Sequence, residues 1–116
     1  MALQLYADRC AERRRLLDEA VVRVIAVCGA HPEVRAAYAF GSYARGIVGP
    51  RSDLDVLVVR ETDLGIVDRV ADLAFELRGP VRVDLVVVTP EEWRTTFPAS
   101  SFGRTVLAQA RQIHAA

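Results

Sequence analysis

The sequence predicts an α/β (α+β) domain in which a small mixed β-sheet is flanked by helices. Segments with helical spacing of apolar residues alternate with short apolar runs, in the order helix, strand, short helix, strand, helix, strand, helix. The composition, 52% hydrophobic and 26% charged, is ordinary for a globular core and unlike that of a disordered chain. With 116 residues, the chain is expected to form a single domain over residues 1–116.

The first predicted element is a long amphipathic helix from about Leu3 to Ala30. Its apolar stripe recurs at helical spacing and contains Leu17, Val21, Val24 and Cys28. Gly29 and Pro32 are expected to end the helix. Cys10 and Cys28 lie on this same helix, whose rise of about 1.5 Å per residue holds them too far apart for a disulfide.

Three short apolar runs predict the strands of the sheet. The first runs from Val34 to Phe40 and leads directly into a Gly-Ser pair. The second runs from Asp53 to Val59 and is almost continuously apolar after its two aspartates, which indicates a strand covered on both faces. The third runs from Val81 to Val88.

The remaining helices are predicted from their capping residues. Asp63 is a candidate N-cap for a helix from about Leu64 to Arg78 that Gly79-Pro80 ends, with an inner stripe formed by Ile66, Val70, Leu73 and Leu77. Thr89-Pro90-Glu91-Glu92 reads as a capping box that starts a short helix towards Phe97. Ser100 or Ser101 caps a last helix to about Gln109, and Gln112 to His114 is a candidate short strand.

The aromatic residues of the strands and short helix are expected to pack rather than to bind a base. Trp93 and Phe97 follow the capping box at helical spacing, and Tyr38 and Phe40 alternate with small residues on the first strand. Both patterns are typical of core or interface positions.

Charge excludes several classes of function. Fifteen basic and fifteen acidic residues cancel without any long block of one sign, so there is no strong nucleic-acid signal. All the basic residues other than histidine are arginine, which excludes a P-loop or a lysine nucleophile. In Arg13-Arg14-Arg15, the last two are expected to pair with Asp18 and Glu19 on a solvated face. No signal peptide or apolar membrane span is present, which predicts no membrane and a cytoplasmic location.

Three aspartates are the candidate catalytic and metal-binding residues. Asp53 and Asp55 are two residues apart at the start of a strand, so both carboxylates lie on one face, about 6.5 to 7 Å apart at the backbone. Asp84 lies inside the third strand, where an unpaired carboxylate is costly to bury and a neutralising partner is expected. If the two strands are neighbours, the three acids meet at one sheet edge, as a divalent-metal site for displacement at phosphorus requires.

Gly41 and Ser42 are the candidate phosphate-binding residues. Gly41 follows a strand and allows close approach of the backbone to a ligand, while Ser42 begins a turn that resembles a helix N-terminus. An ordinary strand-to-helix turn with a serine cap explains this pair alone equally well. Arg45 and Arg51 are close enough in sequence to offer charge-assisted contacts to phosphate, with a solvated loop position as the alternative.

Taken together, Gly41-Ser42, Asp53-x-Asp55 and the later Asp84 resemble the signature of the polymerase beta nucleotidyltransferase superfamily, and in particular its minimal nucleotidyltransferases. This resemblance spans about Leu17 to Gln109 and implies a polymerase-beta-like fold. It implies that Asp53 and Asp55 ligate two Mg²⁺ ions and that Asp84 binds one of them and orients the nucleophile. It also implies that Gly41 and Ser42 hold phosphates of a nucleoside triphosphate.

The same resemblance implies a partner and an activity. Minimal nucleotidyltransferases commonly pair with a helical HEPN-domain protein, and the expected reaction moves AMP from MgATP to a hydroxyl of that partner within a toxin–antitoxin pair. The family suggests a tyrosine hydroxyl. Two alternatives stay open: modification of a small molecule of the aminoglycoside type, and a non-catalytic antitoxin that acts only by binding.

Overall fold

The computed structural model describes residues 1–116 and contains six helices and four strands. The helices are α1 (Ala2–Ala30), α2 (Gly41–Ala44), α3 (Asp68–Glu76), α4 (Pro90–Arg94), α5 (Thr96–Ala99) and α6 (Ser101–Gln109). The strands are β1 (Val34–Phe40), β2 (Leu54–Arg60), β3 (Val83–Val88) and β4 (Arg111–Ala115). None of the helices combines the length and the apolar character that crossing a bilayer requires.

The four strands form one mixed sheet in the order β3-β2-β1-β4. β1 is antiparallel to both β2 and β4, whereas β2 and β3 are parallel and are joined by the crossover helix α3. The mixed sheet flanked by helices confirms the predicted fold class. The short C-terminal strand also exists, since β4 pairs with β1 along its length.

The sheet has a core on each face because alternate residues of β2 point to opposite sides. Leu54, Val56 and Val58 pack against α1 and α3 on one face. Leu57 and Val59 pack on the other face, beneath α5 and α6. β2 is therefore buried on both sides, as its unbroken apolar run predicts.

The predicted start of the α3 helix is wrong. The helix begins at Asp68 rather than at Leu64, and Ile66 is 76% exposed instead of facing the core. The buried guanidinium of Arg69 donates two hydrogen bonds to the carbonyl oxygen of Leu64, at 3.2 and 3.0 Å, and a third to Glu92 at 2.6 Å. A carbonyl held by this side chain does not enter a helical ladder, so Asp63 caps nothing.

The predicted caps of the later helices are confirmed. The Thr89 hydroxyl accepts from the Glu92 amide at 3.1 Å, and the Glu92 carboxylate accepts from the Thr89 amide at 2.9 Å, which completes the capping box. Ser100 caps α6 by accepting from the Gly103 amide at 2.9 Å. Trp93 stacks on Tyr38, with ring centroids 4.9 Å apart, so these aromatic rings pack as expected.

A cluster of charged groups at the end of the sheet opposite α2 makes the stability of the fold depend on pH. His31 contacts Glu76 at 2.6 Å and Glu33 at 3.0 Å, while Arg60 binds both Glu33 and Asp72. The hydrogen bond to Glu76, followed by that to Glu33, raises the pKa of His31 above its ordinary value, although burial opposes the shift. Protonated His31 therefore stabilises the fold.

We expect this stabilisation to be fully present below the unfolded pKa of about 6.5 and to disappear as pH rises through the raised pKa of the folded state. Thermal unfolding of His31→Gln and of the wild type checks this. The difference in Tm is expected to be larger at pH 5.5 than at pH 8.5. His114→Gln serves as the control because His114 has no carboxylate partner, and an equal pH dependence in both variants would contradict the assignment.

Candidate functional site

The register of the parallel strands brings the predicted carboxylates together. Asp55 on β2 lies directly opposite Asp84 on β3, and Asp53 immediately precedes β2. Alternate residues of a strand point to the same face. Asp55 therefore lies on the same face as Leu57 and Val59, and Asp84 on the same face as Val86 and Val88, which is the face covered by α4 to α6. The three acids therefore lie on one face, where β2 and β3 begin and β1 ends.

The electrostatics of this corner are unfavourable to the charged form of Asp55. Partial burial raises the pKa of the Asp55 carboxyl, and the negative charges of Asp84 and Asp53 raise it further. A cation held among these oxygens would remove the repulsion. The donor set consists of three carboxylates, which are the ligands that hard divalent cations such as Mg²⁺ prefer.

Asp84 differs from its sequence-based expectation in one respect. Because β3 is an edge strand, the side chain is 39% exposed rather than buried, and it forms an ion pair with Arg82 at 2.7 Å. Arg82 is thus the neutralising partner that the sequence left unidentified. Because Asp84 is paired with Arg82, the three carboxylates do not converge on a single point at which they could all bind one metal ion. Their chemistry and their position on one face of the sheet are nevertheless suited to a divalent cation.

Gly41 sits directly against Asp55. Phe40 pairs with Asp55 across the antiparallel ladder, and Gly41 then turns with a φ of 75°, which favours glycine. A Cβ atom at Gly41 would come within 2.2 Å of the Asp55 Oδ2 atom. The glycine is therefore required both for the turn and for the position of the carboxylate.

Gln109 is a part of this corner that sequence reasoning missed. Its side-chain oxygen, at the end of α6, accepts a hydrogen bond from the Gly41 amide at 3.0 Å. The Gly41 amide is thus occupied by a protein acceptor. No local signal could have found this contact, because 68 residues separate the two positions.

The other predicted phosphate-binding residues lie around the same turn. Ser42 is half-buried in the single turn of α2, and its carbonyl accepts from the Ile47 amide at 2.9 Å. Arg45 ends α2 and Arg51 lies in the loop before Asp53, and both side chains are exposed without an ion-pair partner. The structure thus brings Gly41 to Asp55, with Ser42 next in the same turn, and leaves both arginines at the surface.

The loop that leads to Asp53 is anchored to α1. Arg13 donates to the carbonyl of Pro50 at 2.8 Å, and Arg14 donates to that of Gly46 at 3.2 Å. Arg15 pairs with Glu19 at 2.6 Å, as predicted. The predicted pairing of Arg14 with Asp18 is wrong.

Asp18 instead accepts a hydrogen bond from the hydroxyl of Tyr43 in α2. Burial, followed by this hydrogen bond, raises the pKa of Tyr43 to about 12. Helix α1 therefore runs alongside the corner that contains the aspartates and holds both its loop and its short helix.

An open groove of about 370 Å³ lies on the same face, further along β3 from Asp84. It lies beside Val86, which follows Asp84 by two residues, and none of the three aspartates lines it. Its walls combine apolar side chains with one ion pair: Ile66, Phe97, Phe102, Arg69 and Glu92. Such a groove can receive a ring or an aliphatic side chain.

A family model described as nucleotidyltransferase domain matches residues 23–108. A candidate nucleotidyltransferase from Sulfolobus solfataricus is 26% identical in sequence, with a TM-score of 0.64 and coverage of 90% of this chain and 85% of that chain. No curated protein matches significantly.

Two toxin–antitoxin complexes also contain similar chains. In one, determined with AMP-PNP, the similar chain is 27% identical with a TM-score of 0.59, over 83% of this chain and 73% of that chain. The other contains a tri-AMPylated Shewanella oneidensis HEPN toxin and an MNT antitoxin. Its similar chain is 24% identical with a TM-score of 0.53, over 89% and 73% of the two chains, and supports the fold alone.

Proposed function

Because this chain belongs to the nucleotidyltransferase domain family, as a minimal nucleotidyltransferase, we propose that it transfers AMP from ATP to a hydroxyl group of a partner protein. The observation that carries the proposal is the placement of Asp53, Asp55 and Asp84 on one face, with Asp55 directly against the Gly41 turn. The reaction forms a bond between the acceptor oxygen and the α-phosphorus of ATP. The bond from that phosphorus to the bridging oxygen breaks, and pyrophosphate leaves.

Each residue of the corner has a proposed role. Asp53, Asp55 and Asp84 would hold Mg²⁺, which when bound supplies positive charge to the phosphate oxygens and lowers the barrier to displacement. Asp84, on the exposed edge strand, orients the acceptor hydroxyl and accepts its proton. Gly41 and Ser42 face the phosphates from the α2 turn.

The two arginines of the surrounding loop have a proposed role in substrate binding. Arg45 and Arg51 are exposed and unpaired, and can swing onto the triphosphate. The groove beside Val86 provides apolar space for the ring of an acceptor tyrosine.

The proposed partner is a HEPN-domain protein, with this chain as the antitoxin of the pair. One similar chain belongs to a toxin–antitoxin complex with AMP-PNP, a non-hydrolysable ATP analogue. A more distant one belongs to a complex in which the HEPN toxin carries three AMP groups. The complex with AMP-PNP supports an adenine nucleotide and a protein partner, whereas the 24%-identical chain supports the fold alone. The neutral net charge of this chain agrees with a protein rather than a nucleic-acid partner.

Transfer of label from α-labelled ATP tests the proposed activity. The purified chain is mixed with MgCl₂ and a candidate HEPN-domain partner, and label is followed on each protein. Label on the HEPN protein is expected, and tyrosine should be found at the labelled site. If ATP binds but no protein is labelled, the protein-acceptor proposal fails, and small hydroxylated molecules such as aminoglycosides become the acceptors to assay.

A second candidate function is neutralisation by binding alone. It is favoured by the ion pair between Asp84 and Arg82 and by the lack of convergence of the three carboxylates. Growth of cells that express the HEPN protein together with wild-type chain or Asp53→Asn separates the two functions. Catalytic neutralisation requires that Asp53→Asn fail to restore growth, whereas equal rescue would identify a binding antitoxin.

A further inference from the structure

The N-terminal part of α1 extends well beyond the sheet that it covers. Its 29 residues span about 43 Å at 1.5 Å per residue, whereas the 7 residues of β1 span about 23 Å. A tight turn at His31 to Glu33 connects the two, so they run in opposite directions from a common end. About 20 Å of helix therefore projects at the other end.

This projecting part, which we call the N-terminal arm (Ala2–Arg13), lies at the end of the sheet that carries the aspartates. Arg13 and Arg14 lie next to the loop that precedes Asp53, since they donate hydrogen bonds to the carbonyl oxygens of Pro50 and Gly46. Every residue of the arm from Ala2 to Arg9 is exposed, and the first buried residue of α1 is Leu17. A protein bound to the arm would stand beside the candidate active site.

An apolar stripe runs along the arm in line with the buried stripe of the same helix. Leu3, Tyr6 and Cys10 follow one another at intervals of three and four residues. Arg13 occupies the next position of the series, and the apolar stripe resumes at Leu17 and runs through the core of the domain. Leu3 is 86% exposed and Tyr6 is 57% exposed. This spacing is the one that packs against another helix.

The charges beside the stripe distinguish between possible occupants. With 3.6 residues per turn, Arg9 flanks the stripe on one side and Arg14 on the other, while Asp8 and Glu12 lie on the opposite face of the helix. Two copies of the arm packed through their stripes would place arginine beside arginine, in either orientation, which is repulsive. A helix with acidic residues beside its own apolar stripe would instead pair with both.

We propose that the N-terminal arm docks an amphipathic helix of the acceptor protein, with its apolar residues on Leu3, Tyr6 and Cys10. The flanking carboxylates of that helix would pair with Arg9 of the arm and with Arg14, which immediately follows the arm and also bonds the Gly46 carbonyl. The inference rests on the proposed function, since it supplies the surface that brings the acceptor to the aspartates. The arm lies outside residues 23–108, which match the nucleotidyltransferase domain.

The affinity of this chain for the HEPN-domain protein, measured without ATP so that no label is transferred, tests whether the N-terminal arm is the docking surface. The variant Leu3→Glu/Tyr6→Glu is expected to weaken binding about tenfold or more, because it places charge in the centre of the contact. Leu5→Glu is the matched control, since Leu5 is also exposed, at 52%, but lies off the stripe. All the substitutions are at exposed helical positions, and retained MgATP binding and circular dichroism will show that each variant is folded.

Cys10 provides a second, independent readout. Cys28 is buried and burial raises the pKa of its thiol to about 11, so maleimide reacts at Cys10. The HEPN-domain protein is expected to slow this reaction in the wild type and in Leu5→Glu, but not in the double variant. Arg9→Glu should also weaken binding, whereas Asp8→Lys on the opposite face should not.

The outcomes distinguish the arm from the transfer reaction. If the double variant no longer binds the HEPN-domain protein while Asp55→Asn still does, docking at the N-terminal arm is supported, whether or not label is transferred. Equal binding by the double variant and the wild type overturns docking at the arm but leaves the proposed transfer reaction intact. Absence of binding by the wild type overturns the arm, and concentration-dependent dimers that the double substitution abolishes would show that a second copy occupies the stripe.

Discussion

Asp55→Asn is expected to reduce transfer of AMP by about 10³-fold, while the fold becomes more stable. Asp55 would act by holding the cation that stabilises the reacting phosphate, and loss of one preorganised group that stabilises transition-state charge typically costs 10² to 10³-fold, or about 3 to 4 kcal/mol of barrier. Burial and the neighbouring charges of Asp84 and Asp53 raise the pKa of Asp55, so its ionised form is unfavourable in the folded state. Asparagine removes that charge without changing the shape of the side chain.

Two measurements check this pair of effects. Single-turnover transfer from α-labelled ATP measures the rate of the chemical step. Thermal unfolding with and without MgCl₂ measures how the charge of Asp55 affects the stability of the fold. Without metal, the Tm of Asp55→Asn is expected to exceed that of the wild type. Mg²⁺ is expected to raise the Tm of the wild type and to have little effect on the variant.

The control for Asp55→Asn is Asp63→Asn, the same substitution in an exposed loop away from the carboxylates. It is expected to keep both transfer and the response of Tm to Mg²⁺. Full transfer by Asp55→Asn would remove Asp55 from the catalytic residues. An unchanged response of its Tm to Mg²⁺ would remove it from the metal ligands.

Gly41→Ala is expected to lower transfer by about 10²-fold or more, because displacement of a reacting group by about 1 Å has effects of that size. The added Cβ would lie 2.2 Å from the Asp55 carboxylate oxygen, so either the carboxylate or the α2 turn must move. The φ of 75° adds about 1 to 2 kcal/mol of backbone strain for a residue with a Cβ.

Gly46→Ala separates these two causes. Gly46 has nearly the same φ, 78°, but nothing lies within 4 Å of a Cβ atom built there. Both variants are therefore expected to lose a similar amount of stability from the backbone, measured as a lower Tm, while only Gly41→Ala loses transfer. Equal transfer by the two variants would show that the close approach of Gly41 to Asp55 is not needed for the reaction.

Much of the fold could be predicted because its determinants are local. The apolar runs of β1, β2 and β3 and the capping box at Thr89 are encoded by residues within one turn or one strand. The pairing of Asp53 and Asp55 on one face follows from the period of a strand, whatever the rest of the chain does. The family resemblance added the roles of these acids, which no local pattern contains.

The errors occurred where tertiary contacts override a local pattern. Arg69 is bound to Glu92, 23 residues further along the chain, and also holds the carbonyl of Leu64, so α3 starts later than a cap at Asp63 predicts. The exposure of Asp84 depends on the order of strands, which places β3 at the edge of the sheet. Neither the ion pair of Arg69 with Glu92 nor the edge position of β3 has a signature in the local sequence.

The sequence by itself determined the elements, their order and the residue types of the candidate site. Only the tertiary structure decided that Asp84 lies opposite Asp55, that Gly41 presses on Asp55, and that Gln109 occupies the Gly41 amide. It also decided which part of α1 is left uncovered. The physical reason is that periodicity and capping act over a few residues, whereas register, edge exposure and overhang depend on contacts between segments far apart in the chain.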